Sequence, residues 1–125
     1  MYKYYNANPR GRHVNDCTVR AISLATGRSW EETYARLSKF ACSQCTMPDD
    51  VKYIDNFLEK HFTKVCGCKN NIKITVGEFV SIHPTGSYLI TMRGHITCVR
   101  NGVIYDTFDP SDRYVWGAYL IEEGE

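Results

Sequence analysis

The chain has 125 residues, the length of one domain, and a domain of that size buries roughly two-thirds of its unfolded surface. Hydrophobic residues at 43% and charged residues at 23% argue against disorder. Fifteen Lys and Arg against fourteen Asp and Glu give a net charge of +1, too little to neutralise phosphates, which argues against nucleic-acid binding.

The first helix is expected from Asp16 or Cys17 to about Thr26, with Asn15 and Asp16 as N-cap residues and Gly27 as the left-handed stop. Val19, Ile22, Ala21 and Leu24 make it largely buried. A second helix opens at Ser29-Trp30-Glu31-Glu32, where Ser29 and Glu32 fit a capping box, and continues through Tyr34, Leu37 and Ala41. A third follows Pro48, with Asp49 and Asp50 in its first turn and Val51, Ile54, Phe57 and Leu58 on its buried face, ending near His61 and Phe62. Ile72-Lys73-Ile74 reads as a short strand, and Thr75 with Glu78 caps a brief helix up to His83. Ser87 to Met92, His95 to Arg100, Val103 to Phe108 and Tyr114 to Leu120 read as strands. Asn101-Gly102 is a two-residue hairpin signal between the middle pair. Helices first and then a small antiparallel sheet make the fold class α+β.

No apolar run approaches bilayer-spanning length, and Met1-Tyr2-Lys3-Tyr4-Tyr5-Asn6 lacks the apolar stretch of a secretory signal. The expectation is a soluble, cytoplasmic protein without membrane contact. Its six cysteines, at 17, 42, 45, 66, 68 and 98, are then reduced thiols, to be weighed for catalysis or metal binding.

Three residues converge on nucleophilic chemistry. Cys17 stands at a helix N-terminus, where the dipole and free amides favour a thiolate, and its own amide points toward an oxyanion on a bound carbonyl. His95 opens a strand after Arg93-Gly94, and Asp106 lies on the next strand. Across a two-residue Asn101-Gly102 loop, Arg100 pairs with Val103, Thr97 with Asp106 and His95 with Phe108. His95 and Asp106 then share a face as diagonal neighbours roughly 7–8 Å apart, a gap that an imidazole and a carboxylate can bridge. Asp109 falls on the opposite face and is the reserve acid, since a three-residue loop would reverse the parity. Arg20, one helical turn after Cys17, could favour the thiolate or bind a substrate carboxylate.

Asn15-Asp16-Cys17 at a helix start, Gly94-His95 at a strand start and Asp106-Thr107-Phe108 on the following strand resemble the papain-like cysteine peptidases in order and context. The Asp-Cys pair and the compact size are more similar to the bacteriocin-leader (double-glycine) peptidase branch and to small phage or bacterial proteins like it. Residues Asn15 to Gly27 and Gly86 to Pro110 carry the resemblance, under a third of the chain. It implies a papain-like fold, with the nucleophile helix packed on a sheet of about four strands. It also implies a thiol hydrolase cutting an amide or isopeptide bond in a protein or peptide, with Cys17 as nucleophile, His95 as base and Asp106 as orienting acid. No cofactor is required. The oxyanion-hole Gln expected six residues before the cysteine is Gly11 here, which leaves Asn15, Asn8 or His13 for that role, and Thr18 replaces the glycine that follows the nucleophile in the leader-peptidase branch.

The same triad would serve an acyltransferase or transglutaminase-like reaction if an amine intercepts the thioester. A third reading is an inactive protein-binding module, its nine tyrosines on a contact surface. Cys42-x-x-Cys45 and Cys66-x-Cys68 form a second candidate site, four thiolates suited to a structural zinc. The second pair is one residue short of the usual knuckle. Cys98 faces away from His95 as sheet packing, and His13, His61 and His83 read as surface or loop residues.

Overall fold

The computed structural model describes residues 1–48, 51–67 and 74–122. Among these described residues four helices run α1 (Cys17–Thr26), α2 (Trp30–Ser43), α3 (Val51–His61) and α4 (Val76–Ile82). Six strands run β1 (Tyr2–Tyr4), β2 (Thr63–Gly67), β3 (Ser87–Met92), β4 (His95–Arg100), β5 (Val103–Asp106) and β6 (Gly117–Ile121). The fold is α+β.

Local chemistry sets the helix ends. Gly27 takes φ 71° and stops α1, and the Ser29 side chain accepts from the Glu32 amide at the head of α2. At α4 both halves of the Thr75–Glu78 capping box are made. Asp16 departs from expectation. It occupies the N-cap position of α1, yet its side chain makes no cap hydrogen bond. Asp49, Asp50 and the side chain of Val51, expected in the first turn of α3, lie outside the described residues.

The sheet has six strands in the order β1-β5-β4-β3-β6-β2, not about four, and it is mixed, because β1 runs parallel to β5. The two unforeseen strands are its edges. Tyr2-Lys3-Tyr4 is too short to show an alternation, and β2 breaks register between Lys64 and Cys66, so neither carries a clear period-2 pattern. Of the strand expected at Ile72–Ile74, residues 72 and 73 lie outside the described residues. Ile74 itself precedes α4, and its carbonyl accepts from the Val115 amide. The last strand begins at Gly117, with Tyr114 making only an isolated bridge to Thr75. β5 ends at Asp106, short of Phe108, because the Thr107 amide turns back onto Asp106 Oδ1 at 2.7 Å.

Helices cover both faces of this sheet. Ile22 of α1, Leu37 of α2 and Leu58 of α3 pack with Leu89, Ile96, Cys98 and Tyr119 in one core. Val76 and Phe79 of α4 pack with Tyr88, Ile90, Val99 and Ile104 in the other. Successive residues of β3 point alternately into the two cores, which is why Tyr88 through Met92 are all buried. At the β4–β5 hairpin Arg100 pairs with Val103, Val99 with Ile104 and Cys98 with Tyr105. This is the two-residue register, with Asn101 at φ 49° and Gly102 at φ 78°.

Candidate active site

The N-terminus of α1 meets the start of β4 and the end of β5 at one rim of the sheet. His95 Nε2 lies 2.6 Å from Asp106 Oδ2, so the hairpin brings the two together as its parity requires. With Nε2 committed to the acid, Nδ1 is the ring nitrogen left to meet the Cys17 thiol, which lies beside the imidazole on the same cleft. Phe108 lies beyond the strand, yet its ring packs 4.7 Å from the imidazole and covers it. The His95 and Asp106 side chains are 7% and 2% exposed, a dry setting in which such bonds strengthen.

The electrostatics favour charge separation. Burial pushes the Cys17 thiol up, but the His95 hydrogen bond and charge, the Ile96 amide and Arg20 together bring it below the ordinary thiol range. Burial pulls the His95 imidazolium down, while bonds to Asp106 and Cys17 more than offset this and raise it to about 9. Asp106 is buried, which raises its carboxyl; the His95 bond, the neighbouring Thr97 hydroxyl, the imidazolium charge and the Thr107 amide hold it low. The Cys17 and His95 shifts both favour a thiolate beside an imidazolium over the neutral pair. Cys98, in the helix-side core, is pushed by burial up to about 12 and is no rival nucleophile.

A cleft of about 500 Å³ opens on this pair. Cys17, His95 and Asn15 lie on it, and Trp30, Tyr34, Met92 and Trp116 supply an apolar lining. Trp30 and Tyr34 stack with centroids 5.2 Å apart. Its volume is within the range of ligand-binding clefts. The Cys17 amide is in the first turn of α1, where amides lack intrahelical acceptors, so it can donate to an oxyanion. Asn15 is exposed and lines the same cleft.

Other candidates stand elsewhere. Arg20 does not line the cleft. Its Nε bonds Asp16 Oδ1 at 2.7 Å and its terminal nitrogen bonds Asp106 Oδ1 at 3.2 Å, so it holds protein carboxylates and not a substrate's. Asp109 is exposed and accepts from the Ser111 amide, a turn-forming role. Cys42 and Cys45 are exposed free thiols, and the other two members of the expected zinc set, the Cys66 side chain and Cys68, lie outside the described residues. Among the described residues no group of three His, Cys, Asp or Glu could hold a metal. The tyrosines divide: Tyr53, Tyr88 and Tyr119 are buried, while Tyr4, Tyr5, Tyr34 and Tyr114 are exposed. Sequence reasoning missed the second carboxylate, Asp16, whose i,i+4 spacing to Arg20 was the available signal. It also missed the aromatic lining, since Trp30 read as one more apolar helix residue.

The chain matches no protein-family model, no curated protein and no solved structure. Among the described residues no helix is long and apolar enough to cross a membrane.

Proposed function

We propose that the protein is a papain-like thiol hydrolase that cleaves an amide bond in a peptide or protein through a Cys17 thioester. The observation that carries this reading is the 2.6 Å His95–Asp106 bond, with the other face of the imidazole on Cys17 at the edge of an apolar cleft.

The Cys17 thiolate attacks the carbonyl carbon, and the carbonyl electrons move to oxygen, where the Cys17 amide and Asn15 are placed to donate. As the oxyanion collapses, the carbon–nitrogen bond breaks and the His95 imidazolium gives its proton to the departing amine. The neutral imidazole then takes a proton from water as the hydroxyl attacks the thioester. Collapse of this second oxyanion expels the sulfur and restores the thiolate–imidazolium pair. Asp106 holds the ring in one tautomer and stabilises its cationic form throughout.

The test is alkylation by iodoacetamide at neutral pH, read residue by residue, followed by a screen of peptide acyl probes that trap the thioester. Cys17 should react far faster than the exposed Cys42 and Cys45 and should be acylated by at least one probe. Labelling no faster than those thiols, with no acylation, would sink the reading and leave an inactive binding module.

A further inference from the structure

Asp16 precedes the nucleophile and is 8% exposed, a depth at which a carboxylate must be paired. Both of its oxygens are occupied. Oδ1 receives Arg20 Nε at 2.7 Å; Oδ2 receives the Trp30 indole Nε1 at 3.0 Å and Asn8 Nδ2 at 3.3 Å. The far end of the same guanidinium reaches Asp106 Oδ1 at 3.2 Å and Thr107 Oγ1 at 3.4 Å. Since the Thr107 amide also takes Oδ1, Oδ2 is the oxygen left for His95. Arg20 and Asp106 are far apart in sequence, on α1 and β5, so the guanidinium ties the nucleophile helix to the strand that carries the acid. The Trp30 indole, anchored at the opposite end, lines the cleft.

We propose that Asp16 and Arg20 are positioning residues forming one link, which sets how much of the Asp106 charge reaches His95 and seats the Trp30 indole in the substrate-facing wall. This rests on the reading of Cys17, His95 and Asp106 as the catalytic group. A planar fork with donors at two angles can serve two carboxylates at once, which a lysine ammonium cannot do in the same geometry. The link also sets an alternation of charge that runs from the Asp16 carboxylate through the Arg20 guanidinium to the Asp106 carboxylate beside His95.

That alternation gives a test by sign. Cys17 of α1 and Asp106 of β5 act on His95 directly, with Arg20 of α1 and its N-cap Asp16 behind them. Asp55 of α3 shares the cleft lining, Tyr2 of β1 bonds the Asp106 carbonyl, and Arg113 lies over the Phe108 ring. Removing the Arg20 charge leaves Asp106 less offset, so the His95 titration midpoint rises in Arg20→Gln. Removing the Asp16 charge frees Arg20 to offset Asp106 more, so the midpoint falls in Asp16→Asn. Each shift should be about half a pH unit or more. It is read by NMR of isotope-labelled histidine, with His95 assigned by its loss in His95→Ala.

The wall is read separately, by the rate ratio of Cys17 labelling with a tosyl-phenylalanyl chloromethyl ketone against iodoacetamide. Arg20 touches neither reagent, yet Arg20→Gln should lower the ratio about fivefold, the scale of one lost hydrogen bond. Arg20→Lys should hold the histidine midpoint near wild type and recover only part of the ratio. Midpoints that move the same way, or do not move, overturn the proposal, as does an unchanged ratio. If Arg20→Gln does not fold, Asp16→Asn alone decides: a lower midpoint supports the link, and an unmoved or higher one overturns it. Slow labelling of Cys17 in the wild type would instead count against the catalytic reading, which the histidine titration does not depend on.

Discussion

At the scale of single residues, the site ranks its own substitutions. Cys17→Ala and His95→Ala remove the proposed nucleophile or proton carrier, so turnover of a trapped probe's parent amide should fall by roughly a thousandfold or more. Asp106→Asn keeps a carbonyl oxygen that can still hold the imidazole tautomer, and its loss should be smaller, roughly tenfold to a hundredfold. Asp106→Ala should cost more than Asp106→Asn, and Asp109→Asn should stay within about twofold, because Asp109 serves a turn. Thermal melts separate lost chemistry from lost folding. If Asp109→Ala stops turnover and Asp106→Ala does not, the acid has been misassigned. The same geometry sets the pH profile. In the proposed hydrolysis the imidazolium protonates the leaving amine, so the alkaline limb of kcat/KM should lie near 9, the raised His95 value. The acidic limb follows the thiolate and should lie below the ordinary thiol range. An alkaline limb near an unperturbed histidine would refute the resting ion pair.

At the scale of elements, the β4–β5 turn carries the register that joins His95 to Asp106. Gly102 sits at φ 78°, and a Cβ there would meet the Pro84 carbonyl oxygen at 3.4 Å. Gly102→Ala should therefore destabilise the fold by about 1 kcal/mol, read by urea unfolding, with left-handed strain as the main cause. A neutral or stabilising result would mean that the turn relaxes to another type. This turn was legible because Asn-Gly forces a particular hairpin, and hairpin parity then places side chains without further information. The helix caps at Ser29, Thr75 and Gly27 were legible for the same local reason. The edge strands were not. β1 is held by parallel pairing to residues about a hundred positions away, including Tyr4 opposite Asp106, and three residues show no period of their own. Asp16 misled for a related cause. Local rules offer its carboxylate the helix amides, but Arg20 and the Trp30 indole bid for the same oxygens, and the charged partner wins.

At the scale of the whole molecule, the ion pair leaves a signature in stability. A His95 raised to about 9 in the folded state, against 6.5 as its reference, contributes stability that is complete below about 6.5 and is lost as pH rises through about 9. Cys17 works in the opposite sense. Its folded value is lowered, so the folded state holds a thiolate where the unfolded chain still holds a thiol, and stability rises with pH across that interval. Between about 6.5 and 9 the folded state holds an extra proton on His95, and over the part of that window above the lowered Cys17 value it gives one up at Cys17, so there the two slopes oppose each other. Removing the sulfur removes only one of them. In Cys17→Ala the bond to Asp106 still raises His95, though by less than with Cys17 beside it, so above about 6.5 the unfolding free energy should decline with pH more steeply than in the wild type. Urea unfolding of both proteins at several pH values measures the difference, because every other titrating side chain is shared. Parallel slopes would mean that the folded protein rests with a neutral thiol beside the imidazole, and the mechanism would then need a proton transfer before attack.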